Sequence, residues 1–415
     1  MAAIVATYGR LGDRLRGLGD VVIGMVVWSV APYFVIAVVL ADTLGSTVLV
    51  LLAPVILLAG LGLVLRYGDA LRGRGDTLII TGLYANLFTF GTWAIITETD
   101  AFAVGIVTGS VLALGAIGLT LIFGILKFAH FAHGDSMMLA GYVAFFALSG
   151  TVVGERTDTQ PLPWSLSDLP GATDSILGFS FGYGLLIAMV VAAVVMAAVF
   201  VGLDRLVYRP LRRRGSGIVI FAMASLGIAI AMRSLMLIFW SSSPRFYVRG
   251  IPPTTDLPFD VRILTDQIFI FFAAMALAAL VYVLLFQSKL GKAMRAMADN
   301  SDLARVSGIN TDLVVTWTWI IGGGLVAVAG VLLALQAQLK PELGFVLLLP
   351  LFAATILGGL GSPQGAFVGG MIIGVSQEVA VTFDFLSPGY KFSVAFIILI
   401  VILLLRPRGL FGAKT

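Results

Sequence analysis

The sequence contains no cysteine, only two histidines and few charged residues. Without cysteine, the chain has no disulfide, no thiolate metal ligand and no cysteine nucleophile. Charged residues make up 12% of the chain, about half the fraction of an ordinary soluble domain, whereas hydrophobic residues make up 59%. These values exclude a typical soluble protein and indicate a protein of the membrane.

Several motifs that carry enzyme chemistry are also missing. The chain has no GxxxxGK[ST] loop to hold the phosphates of ATP, no HExxH zinc motif and no nucleophile elbow in a strand-turn-helix setting. The net charge of +4 comes from Lys and Arg in short loops between apolar runs, so it indicates orientation in a membrane rather than nucleic-acid binding. The sequence therefore predicts a protein that binds or moves a solute.

Apolar runs of roughly 20 residues, the length that a membrane-spanning helix needs, recur along almost the whole chain. We predict an all-α polytopic membrane protein with about twelve transmembrane segments. The run 343–361 contains Pro350, so it is either a full span or a broken, re-entrant one. The predicted spans are 22–42, 47–65, 78–97, 101–126, 137–153, 178–203, 217–239, 267–287, 314–339, 343–361, 364–385 and 389–405.

Most of the 26 Lys and Arg residues fall on one side of these spans, which places both termini in the cytoplasm. The first apolar run is long and lacks a small-residue cleavage site, so we interpret it as a retained span rather than a signal peptide. Two loops on the outer side, 154–177 and 240–266, are rich in Pro, Ser, Thr and Asp. They are either connecting loops or a docking surface for an external partner.

Both histidines lie in the stretch ILKFAHFAHGDSMM, residues 125–138. His130 and His133 share a helical face with Asp135 nearby, but with no third histidine and no cysteine a metal site is weakly supported. We interpret the stretch as a turn or a break between helices, with Gly134 ending one segment and Asp135 and Ser136 capping the next. Breaks at membrane depth are tolerated where they line a cavity.

Charges inside the predicted spans are few. Glu378 serves either a structural hydrogen bond or a transport pathway. Arg233 is explained by snorkelling toward the outer surface, and Asp384 by a position at the outer interface. Glycines at GxxxG spacing, Gly365 with Gly369 and Gly370 with Gly374, predict close helix packing, as does the run Gly322 to Gly324.

A polar segment, QSKLGKAMRAMADNSDLARVSGIN, separates two spans on the cytoplasmic side at residues 287–310. Its apolar residues recur at helical spacing, with Lys and Arg on the other face. The pattern predicts a short amphipathic helix, which either lies on the inner leaflet or docks into a cytoplasmic partner.

Several separate stretches resemble one known family. FAHGD at 131–135, ATILGGLGSPQGAFVGGMIIGVSQE and the ending RPRGLFG are similar to the permease subunits of ABC importers for branched-chain amino acids, a family that also contains urea and short-chain amide permeases. The resemblance covers about 101–415 as the permease core. Residues 1–100, an N-terminal extension with about three transmembrane helices, would be a packing belt, an assembly surface or a fusion remnant. The family usually has Asn at the position of His130.

The resemblance implies the permease subunit of an ATP-driven importer for branched-chain or other amino acids, urea or short-chain amides, in the cytoplasmic (inner) membrane of a bacterium. Its partners would be two cytoplasmic ABC ATPase subunits, which use ATP and Mg, a second homologous permease and a periplasmic substrate-binding protein. The chain would contact membrane lipid and no nucleic acid, and would hold no cofactor or metal of its own. It would be no enzyme.

Two groups of candidate residues follow from the sequence and the resemblance together. As a hypothesis, the substrate pathway includes His130, Phe131, His133, Gly134, Asp135 and Glu378. By resemblance, the helix that couples to the ATPases includes Lys292, Arg295, Ala298, Asn300, Ala304 and Gly308. The alternatives are an ion- or proton-coupled carrier in which Glu378 or His133 takes up the proton, a passive channel, and a membrane scaffold without transport.

Overall fold

The structure is a computed structural model that describes residues 98–153, 158–159, 162–248, 250, 252–257, 261–383, 387–405 and 409–411. The predicted spans 22–42, 47–65 and 78–97, both termini and Asp384 lie outside the described residues. The count of twelve spans and the cytoplasmic position of the termini therefore stay predictions.

The described residues are largely helical, and the helix bounds follow the apolar runs of the sequence closely. In chain order the numbered helices are α1 (Thr99–Leu126), α2 (His133–Ser149), α3 (Tyr183–Leu203), α4 (Ile218–Trp240), α5 (Thr265–Gln287), α6 (Lys289–Asp299), α7 (Ser301–Val306), α8 (Thr311–Gln336), α9 (Leu343–Gly358), α10 (Pro363–Ala380) and α11 (Lys391–Leu405). Helix α3 continues through a π-helical turn, Asp204–Tyr208, into a short helical continuation, Arg209–Arg213.

Polar side chains fix the starts of the helices on the predicted cytoplasmic side. Ser288 accepts a hydrogen bond from the Gly291 N–H, and Asn310 accepts one from the Leu313 N–H. Ser362 caps α10 in the same way through the Gly365 N–H. Such caps satisfy backbone donors that the first helical turn leaves free, so each polar linker ends where the next apolar run begins.

Five described helices are long and apolar enough to cross a membrane: α1, α3 with its continuation to Arg213, α4, α5 and α8. Helices α2 and α9 have 17 and 16 residues, or roughly 25 Å at 1.5 Å per residue, less than the ~30 Å of a bilayer core. Helix α9 runs without interruption through Pro350, so a break at that residue is wrong.

Short hairpins occupy parts of both predicted outer loops, so the all-α prediction is wrong in this detail. Strand β1 (Val152–Val153) pairs with β2 (Asp158–Thr159), and β3 (Thr254–Leu257) pairs with β4 (Val261–Leu264), both antiparallel. The strands of the second hairpin contain Thr, Val and Ile, which are typical of strands.

Helices α1 and α8 form the centre of the bundle. Their most apolar windows are 83% and 72% buried, against 33% for α3 and 22% each for α4 and α5. Of the glycines predicted to pack closely, Gly370 and Gly374 meet the backbone of α1 and Gly369 meets that of α9, whereas the prediction is wrong for Gly324, which has no neighbour within 4 Å. The outer helices present apolar side chains outward, as a lipid environment requires.

Candidate functional site

The stretch that holds both histidines re-enters the membrane from its predicted cytoplasmic side. Helix α1 ends at Leu126, and Lys127 adopts a left-handed conformation (φ 59°). Residues 128–132 are not helical, and the Phe131 N–H donates to Ser225 Oγ of α4 (3.1 Å). Helix α2 then starts at His133. We call residues 127–132 the re-entrant segment.

The depth at which α2 starts follows from its contacts with α4. Asp135 in the first turn of α2 pairs with Arg233, which lies about 22 Å along α4 from Ile218 and about 10 Å from Trp240 at ~1.5 Å per residue. The first turn of α2 is therefore inside the membrane. Asp135 and Ser136 do not cap α2, whose N-cap is Ala132, so that prediction is wrong.

Gly134 does not end a helical segment either; it lies in the first turn of α2, where it packs against the start of α9. A Cβ atom at Gly134 would collide with the carbonyl oxygen of Gly344, and one at Gly344 would meet the Asp135 Cα. Phe131, which precedes α2, packs against Phe352, two turns further along α9 than Gly344, with ring centroids 5.4 Å apart. The chains of α2 and α9 thus run in opposite directions, and their N-terminal turns meet within the membrane.

Helix N-termini carry unpaired N–H groups and partial positive charge. Discontinuous membrane helices use such ends to bind anionic groups of a substrate. The paired starts of α2 and α9 therefore place a polar feature at membrane depth, as expected for a part of a solute pathway.

The histidines themselves are fully buried. His133 Nε2 donates to the Gly115 carbonyl (2.8 Å), which ties the start of α2 to α1. His130 is enclosed by aromatic rings, with the centroids of Trp319, Phe200 and Tyr208 at 5.4, 5.6 and 5.8 Å, and neither of its ring nitrogens bonds to a described residue. Their role in a pathway stays a prediction.

Asp135 and Arg233 form a buried ion pair between α2 and α4. Arg233 Nε and Nη2 donate to Asp135 Oδ1 at 3.0 and 2.9 Å, and Nη2 also contacts Oδ2 at 3.1 Å. The guanidinium lies over the Phe345 ring, 4.8 Å from its centroid. Arg233 does not snorkel to the surface, because the partner carboxylate holds it at membrane depth. The sequence marked both charges but gave no sign that they pair.

Glu378 belongs to a different cluster. It accepts hydrogen bonds from Lys391 Nζ (2.6 Å) and Thr108 Oγ1 (3.1 Å), and Gln336 Nε2 donates to Thr108 (3.0 Å). Thr108 lies two helical turns from Gly115, or about 10 Å along α1. The structure thus brings His130 to Asp135 together and keeps Glu378 apart from them.

The predicted amphipathic segment forms two helices, α6 and α7, joined at Asn300, whose side chain accepts from the N–H groups of Asp302 and Leu303. Met294 and Met297 of α6 are buried against the chain. This covered apolar face does not fit insertion of α6 into the inner leaflet. Lys292 is exposed, whereas Ala304 of α7 is buried, and Gly308 ends the segment at φ 85°.

Two bonds join α6 to the membrane helices. Lys127 Nζ donates to the Ala298 carbonyl (2.7 Å), which links the end of α6 to the re-entrant segment. Arg295 donates to the Leu285 carbonyl and lies over the Phe286 ring of α5. These contacts connect α6 to α5 and to the residues that precede His133.

Comparison with known proteins shows the family to which the chain belongs. Residues 101–403 match the family described as the permease component of the branched-chain amino acid transport system. The chain belongs to this family. The permease is a multi-pass transport subunit of the cytoplasmic membrane, and the predicted family resemblance is confirmed.

Individual relatives agree with this assignment. The permease is 31% identical over 314 residues to the permease protein LivH of the high-affinity branched-chain amino acid transport system of Escherichia coli, covering 74% of this chain and 93% of the relative. It is 31% identical to BraD of Pseudomonas aeruginosa, covering 74% and 94%. A probable LivH of Methanocaldococcus jannaschii is 27% identical, covering 74% and 90%. No solved structure matches the permease.

Proposed function

We propose that this permease is the membrane-spanning subunit of an ATP-driven importer for branched-chain amino acids. Two cytoplasmic ATPase subunits would use ATP and Mg, a second homologous permease would complete the membrane part, and an external binding protein would deliver the solute. The names of the relatives favour branched-chain amino acids over urea and short-chain amides. The chain's lack of a P-loop is consistent with an ATPase on separate subunits.

The observation that carries the proposal is the connection from α6 to the re-entrant segment. Lys127 bonds to Ala298 at the cytoplasmic end and directly precedes the residues that rise to the start of α2. Closure of the ATPases on α6 would displace the Ala298 carbonyl, and Lys127 would carry that displacement to the start of α2. The permease thereby lowers a barrier for the solute and makes no covalent bond.

The contacts of Glu378 give no support to a proton-coupled carrier. Its carboxylate already pairs with Lys391 and accepts from Thr108, so protonation would leave the partly buried Lys391 cation without its partner, which is costly. His133 Nε2 is likewise engaged, with the Gly115 carbonyl.

Purification from the native membrane tests the proposal directly. We expect the permease to come with two ATPase subunits and a second permease, and the complex in proteoliposomes to take up leucine only with ATP and the binding protein present. Uptake that survives without ATP and collapses with a protonophore would instead establish a carrier. Solute flux through the purified permease alone would establish a channel.

Replacement of Lys127 by Met tests the connection to α6. It removes the hydrogen bond to Ala298 but keeps a long apolar side chain at the same backbone conformation. A hydrogen bond of this kind contributes about 1 kcal/mol, so we expect leucine uptake per ATP hydrolysed to fall about two- to fivefold with assembly unchanged.

Lys289→Met is the matched control, because Lys289 is an exposed lysine of α6, the helix that contains Ala298, and takes no part in the bond to Lys127. We expect it to match the wild type in both uptake and ATP hydrolysis. Equal uptake per ATP in Lys127→Met and the wild type would contradict the role given to this bond.

A further inference from the structure

Arg233 is a charged residue at membrane depth on an otherwise apolar helix. The face of α4 on the outside of the bundle carries Leu226, Ile230 and Ile238, all exposed. The Arg233 side chain is 25% exposed, whereas its partner Asp135 is fully buried. An ionised group at this depth is costly unless it faces protein or a water-filled cavity. The exposed part of Arg233 therefore faces something other than hydrocarbon.

The ion pair uses only one edge of the guanidinium. Nε and Nη2 donate to Asp135, while Nη1 has no hydrogen-bond partner among the described residues. An arginine presents its donors in a rigid planar fork that matches a carboxylate. Because Asp135 fixes the plane of the group from one side, the donors of the other side are held in a defined direction.

Apolar surface adjoins this charge. Phe345 lies under the guanidinium with half of its surface exposed, and Leu349, one turn further along α9, is 46% exposed. A cation beside an aromatic and an aliphatic side chain is complementary to a solute that carries a carboxylate next to a branched apolar group. That is the chemistry of a branched-chain amino acid.

We propose that Arg233 binds the carboxylate of the amino acid during its passage through the membrane and that Asp135 positions the guanidinium for this contact. The proposal rests on the proposed function and adds a specificity-determining residue to it. A carboxylate side chain of the second permease could accept hydrogen bonds from the same N–H groups of Arg233. The experiment therefore distinguishes a carboxylate of the solute from one of the second permease.

The test compares charge-neutral and charge-retaining variants in the intact complex with its binding protein. The double variant Asp135→Asn/Arg233→Gln removes both charges, so no buried charge is left unpaired. Arg233→Lys keeps the charge but loses the planar fork. The matched control is Asp312→Asn/Arg209→Gln, which neutralises an exposed ion pair. Each variant is assayed for co-purification of its partners and for ATP-dependent leucine uptake.

We expect the double variant to assemble normally and to take up leucine at least tenfold more slowly than the wild type, and Arg233→Lys to be three- to tenfold slower. The control should equal the wild type. If the double variant takes up leucine at half the wild-type rate or faster, the proposal is overturned, because Arg233 would then only neutralise Asp135. Selective loss of the second permease would overturn it in favour of a carboxylate on that subunit.

Two further results keep the inference separate from the proposed function. If the double variant yields no folded protein, Arg233→Lys decides, and uptake within twofold of the wild type would overturn the proposal. If the wild-type complex itself does not take up leucine, the proposed function fails first, whatever the variants do.

Discussion

Replacing Gly330 with Ala should prevent the permease from folding normally. Gly330 lies on α8, and a Cβ atom there would collide with the carbonyl oxygen and the carbonyl carbon of Met137 on α2. Both atoms belong to the backbone, so no side-chain rotation relieves the clash. Overpacking in a filled core costs about 1–3 kcal/mol and sometimes more. Because the contact holds α2, the helix of Asp135, we expect little monodisperse protein after detergent extraction.

Gly324 provides a control on the same helix, since a Cβ atom there would have no neighbour within 4 Å. Alanine has a higher helix propensity than glycine by about 1 kcal/mol. We therefore expect Gly324→Ala to leave the extraction yield and the unfolding temperature in detergent unchanged or slightly raised. Equal yields for the two alanine variants would show that α2 and α8 do not pack as described.

Replacing Asp204 with Ala should destabilise the permease by about 3 kcal/mol, the lower end of the range for breaking a buried ion pair. Asp204 lies in the π-helical turn of α3 and is almost completely buried. Its Oδ1 accepts from Trp319 Nε1 (2.8 Å) and pairs with Arg212 (2.7 Å). The variant leaves a buried indole N–H and a cation without partners. Thermal unfolding in detergent measures the loss.

Two variants calibrate this result. Asp204→Asn keeps an oxygen that accepts from Trp319, so it should lie between the alanine variant and the wild type. Asp312→Ala removes an ion pair with Arg209 in which the carboxylate is 69% exposed, and exposed pairs contribute about 0–1 kcal/mol. If Asp204→Ala unfolds at the same temperature as Asp312→Ala, the buried contacts of Asp204 contribute nothing.

The Asp204→Ala substitution should also change the surroundings of His130. The Trp319 ring stacks on Tyr208, with centroids 5.1 Å apart, and both rings pack on His130. The indole is oriented by its bond to Asp204. A loss of that bond therefore loosens the enclosure of His130.

Sequence reasoning predicts the helices well and their depth poorly. The apolar runs give the described spans to within a few residues, because desolvation of the backbone forces each run to be helical in a membrane. The apolar runs do not show that α2 starts inside the membrane, since residues 128–132 are apolar enough to lie at any depth. Local pattern likewise predicts one amphipathic helix in this segment, but neither its division into α6 and α7 nor the bond from Lys127 to Ala298.

The pairing of Asp135 with Arg233 has no signal in a single sequence, because the two residues lie 98 positions apart. Glycine spacing is likewise an incomplete guide to the contacts between helices. The GxxxG spacing correctly marks Gly370 and Gly374, but the isolated Gly330 and Gly344 make contacts just as close, whereas Gly324 of a conspicuous triplet makes none. Spacing shows that a close approach is possible; the partner backbone decides whether it occurs.

Backbone contact at glycines divides the described helices into two kinds. Helices α1, α2, α3, α8, α9 and α10 meet one another where a glycine on one touches the backbone of its neighbour. Helices α5 and α11 contain no glycine, and the single glycine of α4, Gly227, touches nothing within 4 Å. No glycine within these three helices touches a neighbouring backbone, so side chains make their contacts, and side chains change rotamer at little cost.

A rearrangement that keeps the glycine contacts intact moves the first group as one body, including any displacement delivered through Lys127 to α2. Sliding and tilting are then confined to α4 and α5, because Leu410 and Phe411, just beyond α11, bond to the carbonyls of Leu357 and Gly358 of α9. Of these, α5 leads directly into α6, and α4 carries Arg233. The freedom to move is thus built into the helix that would receive the cytoplasmic signal and the helix that would hold the solute, while the body between them keeps its form.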